Sequence, residues 1–394
     1  MADALVEDFI TKLKRRQVEG SLVTARKTAL VLRQVIAAER KPAPYQASQL
    51  IELVKNYGRK LIAANPTELA IGNIVRRVLH IIREEDVTSA SHSAANTEDD
   101  VERAGPAGGG IAASTGNRTA LLAPALKNLL EPTPQLQKPG SDSGSVAESE
   151  SKRQEKPKSD RASWRLKHNV IEGINELITE VENFSSLIAE QALEHIHQNE
   201  VILTMGRSKT LLNFLSEAKK KRSFQAVVAE GAPRYDGHLL AKELAVLGVQ
   251  TTAITDAAVF AMMARVNMVV VGAHAVMANG GVLAPVGLHM AALAAKRHAV
   301  PFVVLCGLHK LSPVFPHDPD TLLNDFKSPS GVLDFGEISD CLDSAAGRVH
   351  TPNPFFDYIP PELVSLFITD GGGHNPSYVY RLIAEFYSPE DYVL

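Results

Sequence analysis

The chain has 394 residues, more than one compact domain usually contains, so its length predicts two domains. A formal net charge of −4 argues against a nucleic-acid-binding protein, which usually carries a strongly basic face, and two cysteines exclude a disulfide framework. The scarcity of cysteine favours a reducing, cytosolic location, and no apolar run reaches the roughly 20 residues of a membrane span. We therefore expect neither nucleic acid nor membrane as a direct partner.

The N-terminal part is predicted to be helical. Apolar residues recur at helical spacing over residues 3–84, which predicts an N-terminal helical domain spanning 1–86. Four helices are expected, and the fourth has the clearest start. Asn65 is placed to cap it, and Pro66 suits its first position.

The composition changes over residues 87–162. Ser, Gly, Pro, Glu and Lys dominate, and no Phe, Tyr or Trp occurs between Tyr57 and Trp164. Because such a segment cannot bury enough apolar surface to offset chain entropy, we predict a disordered or loosely ordered insert. One apolar stretch inside it, 121–130, fits a docking helix and a transient helix equally well.

Regular periodicity returns at Trp164 and continues to about His197, which predicts that 163–198 is a long helix completing the helical domain. From residue 200, short runs rich in β-branched residues alternate with helix-like segments. This pattern predicts a buried parallel sheet, so 199–394 is expected to be a Rossmann-like domain and the chain an α/β protein. The predicted strands are 200–204, 225–229, 250–254, 267–271, 301–305 and 365–369; the predicted helices between them are 208–222, 237–247, 257–264 and 284–299.

Ligands bind beyond the carboxyl ends of strands in such sheets, so the loops after the predicted strands form the candidate site. The first loop, Gly206-Arg207-Ser208, begins a helix and could hold a phosphate, although it lacks the glycine spacing of a P-loop. The alternative is a strand-to-helix turn in which Ser208 is the N-cap. Arg234 is either a bidentate phosphate ligand or a solvated loop residue. Asp256 is expected to cap the helix that follows it.

Three further features follow later strands at the same edge: His274, the turn at Asn279-Gly280, and Lys310. A lone histidine in this position is more often a hydrogen-bonded structural residue than an acid or base. Cys306 is expected in the sheet core. The histidines are scattered along the chain, so the sequence predicts no metal site and no cofactor.

Several segments carry a resemblance to a known family. They resemble the fold family that contains the methylthioribose-1-phosphate and ribose-1,5-bisphosphate isomerases. The same family contains the alpha, beta and delta subunits of eukaryotic translation initiation factor two-B, the guanine-nucleotide exchange factor for initiation factor two. Within the family, the first strand region and the C-terminal tail resemble the beta-type subunits most. The segments are 195–215, 227–244, 255–267, 272–305 and 356–387.

The resemblance implies that isomerase chemistry is lost in this chain. The isomerases carry a catalytic Cys where Gly206 stands and a catalytic Asp where His274 stands, while Arg234 and the Asn-Gly turn are retained. Proton transfer needs an acid/base pair, so we predict no catalytic residue. What remains is a degenerate pocket formed by Gly206, Arg207, Ser208, Arg234, His274, Asn279, Gly280 and Lys310.

By the same resemblance, the chain is expected to be a non-catalytic regulatory subunit acting in translational control. It would pair with the delta subunit through its Rossmann-like domain and assemble with alpha, gamma and epsilon subunits. It would help sense the alpha subunit of initiation factor two, including its phosphorylated form, while exchange catalysis resides in epsilon. Two alternatives stay open: a sugar-phosphate isomerase using His274 and Cys306, and a sugar-phosphate or nucleotide sensor using Gly206–Ser208, Arg234 and Asn279.

Overall fold

The computed structural model describes residues 2–39, 46–98, 158–316, 324–334, 336 and 350–394. Most of the predicted insert, including 121–130, lies outside these residues. Met1–Ser89 and Ser159–Leu394 form one compact unit, and Ala90–Lys158 form a second. Everything described below, apart from the outer ends of two helices, belongs to the first unit. No helix in its described part is long and apolar enough to cross a membrane.

The N-terminal helices bury one apolar stripe each, as their periodicity predicts. Small and branched residues of the second helix, such as Ala29 and Leu32, pack against Ile74 and Val78 of the fourth and Ile174 of the fifth. The long helix predicted over 163–198 begins earlier and ends at Glu190, before a separate short helix. The helices are α1 Ala2–Lys14, α2 Ser21–Ala38, α3 Gln46–Ala64, α4 Leu69–Glu98, α5 Lys158–Glu190 and α6 Ala192–His195.

The start predicted for α4 is wrong. Asn65 to Glu68 form a turn closed by a hydrogen bond from the Glu68 amide to the Asn65 carbonyl, 3.3 Å, and the helix begins at Leu69. The Thr67 hydroxyl donates to the Asn65 side-chain oxygen at 3.0 Å, so that oxygen does not cap the helix. The turn instead carries Glu68, 8% exposed, to within 3.7 Å of His274. A tertiary contact therefore overrides the local capping signal.

The second half of the chain forms a seven-stranded sheet in the order β10-β9-β7-β4-β1-β2-β3. Six strands are parallel and lie within one residue of their predicted positions; β10 is antiparallel. When only the six parallel strands are numbered, from 1 to 6 along the chain, their order in the sheet is 3-2-1-4-5-6, which is the order of the Rossmann fold. The predicted α/β architecture is thus confirmed. These strands are β1 Val201–Met205, β2 Gln225–Ala229, β3 Gln250–Ile254, β4 Met268–Gly272, β7 Phe302–Leu305, β9 Leu366–Thr369 and β10 Gly372–His374.

A three-stranded antiparallel sheet, absent from the sequence prediction, stands beside the main one. It consists of β5 Ala275–Val276, β6 Val282–Pro285 and β8 Phe356–Ile359. The helix predicted over 284–299 therefore begins only at Leu288. Val282, Leu283 and Ala284 are all buried, and a short, wholly apolar run does not distinguish strand from helix. The remaining helices are α7 Lys209–Lys219, α8 Asp236–Val246, α9 Val259–Met263, α10 Leu288–Arg297 and α11 Val379–Phe386.

Helices cover the two faces of the main sheet unequally. On one face, α5, α7 and α8 bury residues such as Phe214 and Leu240. On the other, α9, α10 and α11 bury Val259, Ala291 and Ile383. The strand β3, at the edge, contacts α8, whereas α9 packs on α10. On the α9 side of β3, Gln250 and Thr252 remain exposed.

The C-terminal segment joins the sheet to α4. The Asp391 side chain is fully buried and accepts hydrogen bonds from Arg83 at 2.9 and 3.1 Å, and its ion pair with Lys55 measures 2.8 Å. Arg76 donates to the Asp391 carbonyl at 3.2 Å. Burial alone would raise the pKa of Asp391, but the hydrogen bonds from Arg83 and Lys55 outweigh it and lower that pKa.

Candidate functional site

The candidate site lies where the strand order reverses, between the carboxyl ends of β1 and β4. Its two loops touch: a Cβ placed on Gly272 would lie 2.9 Å from the Ser208 hydroxyl. Gly206 has a left-handed backbone, with φ of 76°, and a Cβ there would meet only Pro285, at 3.9 Å. Open space therefore remains beside Gly206, although a side chain there would sit on a strained backbone.

Ser208 is the N-cap of α7, as the structural alternative predicts. Its backbone is extended, and its hydroxyl accepts a hydrogen bond from the Leu211 amide at 3.4 Å. Arg207, in the same loop, pairs with Glu243 of α8 at 2.6 Å. The hydrogen bonds that Arg207 donates to the Glu243 carboxylate raise the pKa of Arg207. The cation of this loop is thus already matched by a carboxylate of the chain.

Arg234 is half-exposed and is also paired. Its Nε lies 3.2 Å from the Asp236 carboxylate, and its guanidinium carbon lies 4.7 Å from the centre of the Phe355 ring. The Phe355 ring also has the Lys327 ammonium 4.8 Å from its centre. An ion pair and a cation–π contact together hold Arg234 in place.

His274 faces the turn between α3 and α4. Its Nε2 lies 3.3 Å from the Thr67 carbonyl oxygen, and its ring centroid is 4.4 Å from that of Phe356. Burial, followed by the neighbouring Lys310, lowers the pKa of His274, so the imidazole is neutral at pH 7. Lys310 is itself buried and donates to the Ala273 carbonyl at 2.7 Å, and burial lowers its pKa as well.

Asn279 and Gly280 form the predicted turn. The Asn279 amide donates to the Tyr358 hydroxyl at 2.6 Å, and its oxygen accepts from the Gly281 amide at 3.0 Å. Gly280 has φ of 80°, and a Cβ there would approach the Pro376 carbonyl oxygen to 2.7 Å. Both polar groups of the Asn279 side chain are therefore engaged within the turn and with β8.

Asp357 occupies the N-terminus of α10, a contact that the sequence analysis missed. Its carboxylate accepts hydrogen bonds from the amides of Gly287 at 2.7 Å and His289 at 3.2 Å. The helix N-terminus is a common binding site for phosphate. Here the chain's own carboxylate fills it. No sequence signal links Asp357 to a helix that begins about seventy residues earlier, since only the pairing of β6 with β8 brings them together.

Two other aspartates at the carboxyl edge of the sheet also accept hydrogen bonds from backbone amides of loops. Asp256 does not cap its own helix, so that prediction is wrong. Its carboxylate instead accepts from the amides of Gly231 at 2.9 Å and Ala232 at 2.7 Å, in the loop after β2. Asp370 accepts from the Leu308 amide at 2.8 Å. Backbone donors in three loops of the carboxyl edge are therefore satisfied internally.

Two further residues with side chains that could react, Cys306 and His309, are buried. Burial raises the pKa of the Cys306 thiol to about 12, and burial with the adjacent Lys310 lowers the pKa of His309 to about 3. Cys306 is therefore a thiol and His309 a neutral imidazole at pH 7. Among the described residues, no group of three His, Cys, Asp or Glu side chains is arranged to hold a metal ion.

Acidification should destabilise the folded chain through His309. The folded chain keeps this imidazole neutral, whereas the unfolded chain protonates it below about pH 6.5. The folded pKa is depressed, so the free energy of unfolding should fall by about 2 kcal/mol between pH 6.5 and 5 from this residue. Urea unfolding of wild type and His309→Gln at both pH values measures it. His238→Gln, at an exposed position, is the control. Equal pH dependence in wild type and His309→Gln would contradict the expectation.

These features define a class: an α/β protein with a Rossmann-like sheet and a helical N-terminal part. The loops at the carboxyl edge of its sheet, which we call the sheet mouth, have their charged and backbone groups paired within the chain. The chain belongs to the Initiation factor 2 subunit family, whose model matches residues 17–376. The predicted family membership is thereby confirmed.

The relatives and solved structures agree with this assignment. The chain is 43% identical to translation initiation factor eIF2B subunit beta of Dictyostelium discoideum over 392 residues, 98% of this chain and 95% of that protein. It is 37% identical to the protein of the same name in Schizosaccharomyces pombe over 405 residues, 99% and 97% of the two chains. The crystal structure of eIF2B beta from Chaetomium thermophilum aligns with a TM-score of 0.69 and 29% identity, covering 99% of this chain and 94% of that one.

A more distant relative is the ribose 1,5-bisphosphate isomerase of Archaeoglobus fulgidus. It is 30% identical over 225 residues, which cover 56% of this chain and 68% of the isomerase. The similarity to the beta subunits therefore extends over almost the whole chain, while the similarity to the isomerase covers about half of it.

Proposed function

We propose that this chain is a non-catalytic, regulatory subunit of the guanine-nucleotide exchange factor for translation initiation factor two, and that it works in the cytosol. The observation that carries the proposal is the near full-length similarity to proteins named eIF2B subunit beta. In this role the chain binds other subunits, and exchange catalysis resides in the epsilon subunit.

The geometry of the sheet mouth supports a role without catalysis. Gly206 contributes no functional group, and His274 is a neutral, buried imidazole that contacts the helical part. Isomerisation of a sugar phosphate needs an acid/base pair and cations free to bind phosphate. Every candidate cation of the mouth has a partner: Arg207 with Glu243, Arg234 with Asp236, and Lys310 with the Ala273 carbonyl.

The first partner is a delta-type subunit. A related structure, at 27% identity and a TM-score of 0.64 over 98% of this chain, is a tetrameric eIF2B-beta2-delta2 complex from C. thermophilum. We place the contact on the exposed side of β3 and on α9. Parallel strands are normally covered on both faces, yet Gln250 and Thr252, which lie on the α9 side of β3, are exposed.

The exposed residues of α9 and its flanks between Ala257 and Ala264 carry no charge, and an exposed arginine, Arg265, follows directly. A solvated helix face normally carries charged residues, whereas an apolar outer face is normally buried. Exposed apolar residues of α10 continue the surface. We call this surface the α9 face; it consists of Ala257, Phe260, Ala261, Ala264, Met290 and Leu293.

The wider assembly follows from the same proposal. The chain joins alpha, gamma and epsilon subunits and takes part in sensing the alpha subunit of initiation factor two, including its phosphorylated form. Native mass spectrometry of the tagged chain from its source tests this directly. The expected result is a complex with stoichiometric delta-type subunit and the other subunits. A monodisperse lone chain with no affinity for them would contradict the proposal.

The space beside Gly206 and the similarity to an isomerase favour one second candidate, a sensor or enzyme for sugar phosphates. We expect neither turnover of ribose 1,5-bisphosphate nor a shift in melting temperature at millimolar ligand, because the anion-binding groups are occupied. A ligand that binds only the folded state would raise the melting temperature by mass action. Turnover that is lost in His274→Ala would support the enzyme, and a shift without turnover would support the sensor.

A further inference from the structure

The last turn of the chain carries a serine followed by proline and two acidic residues, Ser388-Pro389-Glu390-Asp391. Ser388 precedes a short 3₁₀ turn, Pro389–Asp391, that lies on α4. Ser388 is half-buried, while Pro389 and Glu390 are exposed. A modifying enzyme can therefore approach this serine from the side on which Pro389 and Glu390 face solvent.

The Ser388 hydroxyl rests on the cationic side of α4. Its Oγ lies 2.9 Å from His80 Nδ1, and His80 Nε2 lies 3.1 Å from the Glu84 carboxylate. An ionised carboxylate only accepts hydrogen bonds, so Nε2 carries the proton. In the neutral imidazole, Nδ1 then accepts from the Ser388 hydroxyl. The serine is thereby held against the helix by a defined hydrogen bond.

Two arginines lie three residues before and after His80 on the same helix face. Arg83 is matched by Glu390 and Asp391. Arg77 differs: among the described residues no carboxylate lies within ion-pair distance of it. It makes a long hydrogen bond, 3.4 Å, to the Phe386 carbonyl, and its guanidinium carbon lies 4.4 Å from the centre of the Phe386 ring.

The Arg77 guanidinium also has an unused donor. Its Nε is buried and has no hydrogen-bond partner, and an unsatisfied buried donor is unfavourable. Phe386, which it contacts, is two residues before Ser388. A guanidinium with a free donor therefore contacts the residue two positions before Ser388, and an imidazole contacts the Ser388 hydroxyl itself.

We propose that Ser388 is a phosphorylation site and that Arg77 binds the phosphate. A proline-directed protein kinase would transfer the γ-phosphoryl group of ATP. A bond forms between Ser388 Oγ and phosphorus, the bond from phosphorus to the oxygen of the leaving ADP breaks, and the hydroxyl proton passes to the base of the kinase. This site does not depend on the function proposed above.

The charges around the last turn can accommodate a phosphate, which carries about −1.5 to −2 at pH 7. Among the described residues, the turn and the side chains of α3 and α4 that contact it present four cations and three carboxylates. The cations are Lys55, Arg76, Arg77 and Arg83, and the carboxylates are Glu84, Glu390 and Asp391. The phosphate oxygens would satisfy the free Arg77 donor with a charge-assisted hydrogen bond and fasten the last turn to α4.

Ser328 provides a matched control. It is also followed by proline, at Pro329, and it is exposed. Its hydroxyl contacts that of Ser330 at 2.8 Å, and no guanidinium contact to it is present in the described part of the chain. A phosphate there would remain in solvent.

The first test treats the folded full-length chain with a proline-directed kinase and ATP and locates phosphate by mass spectrometry. A peptide with the sequence of residues 382–394 confirms that the kinase is active on this motif. Phosphate on Ser388 of the folded chain supports the proposal. A modified peptide together with an unmodified Ser388 in the chain would overturn it.

The second test incorporates phosphoserine at position 388 or, separately, 328 during synthesis. Phosphoserine at 388 should raise the melting temperature by about 2–4 °C. The second pKa of its phosphate should fall from about 6 to about 5, which ³¹P NMR measures. Phosphoserine at 328 should change neither. In the Arg77→Gln variant, phosphoserine at 388 should change neither the melting temperature, compared with unphosphorylated Arg77→Gln, nor the phosphate pKa, compared with its ordinary value. A lower melting temperature with phosphoserine 388, or effects that persist in Arg77→Gln, would refute the phosphate site.

Discussion

Phe260→Asp should abolish stoichiometric pairing of this chain with a delta-type subunit while leaving its own fold intact. Phe260 is 56% exposed at the centre of the uncharged α9 face. Aromatic anchors of this kind carry a large share of interface energy, and truncating one costs at least about 2 kcal/mol. Burying an unpaired carboxylate adds a further penalty. We therefore expect the dissociation constant to rise by at least about 30-fold.

Co-expression with the delta-type subunit and sedimentation of the purified complex measure this effect. Leu239→Asp is the matched control, because Leu239 is 53% exposed on α8, which covers the opposite face of the sheet. Circular dichroism and melting curves of both variants check that the fold is retained. If Leu239→Asp disrupts the complex and Phe260→Asp does not, the partner surface lies on the α8 side and the α9 face is refuted.

Asp391→Ala should destabilise the chain by about 3 kcal/mol or more, because it removes a buried carboxylate and leaves its cations unpaired. The side chain has no solvent exposure, and its partners Arg83 and Lys55 are only 27% and 22% exposed. These cations lie on α4 and α3, so the change also loosens the junction between the helices and the C-terminal segment. Urea unfolding at pH 7 measures the loss.

The neighbouring Glu390 provides the control for Asp391. It pairs with the same arginine at 2.6 Å but is 72% exposed, and exposed ion pairs contribute only about 0–1 kcal/mol. Glu390→Ala should therefore change the free energy of unfolding by less than about 1 kcal/mol. Similar losses in both variants would show that burial of Asp391 does not decide the strength of this contact.

Regular elements were the most predictable part of the structure. Each predicted parallel strand lies within one residue of its predicted position. Five of them are mostly buried and form short apolar runs, whereas the exposed edge strand β3 was marked by its β-branched residues. The role of Ser208 as N-cap of α7 was equally predictable, because a serine directly before a run of apolar residues at helical spacing is a local signal. The domain boundaries at 86, 162 and 198 stay predictions.

The candidate site was only partly predictable. The topology rule located its loops correctly at one sheet edge, but it gave no partner for any side chain. The missed residue is Asp357, whose targets lie about seventy positions away in sequence. Asp256 was assigned to the wrong helix because an aspartate before a helix resembles a cap, whereas its carboxylate reaches the loop after β2.

The sequence by itself determined the α/β class, the six parallel strands and the family, because periodicity and local motifs are properties of neighbouring residues. Only the tertiary structure decided which charges meet: Glu243 on Arg207, Asp357 on the start of α10, and Asp391 between α3 and α4. Such pairs depend on strand pairing and helix packing between residues tens to hundreds of positions apart. The result is a carboxyl edge of the sheet whose charged and backbone groups are paired within the chain. The apolar α9 face stays exposed, apart from the contact of the Phe260 ring with His298.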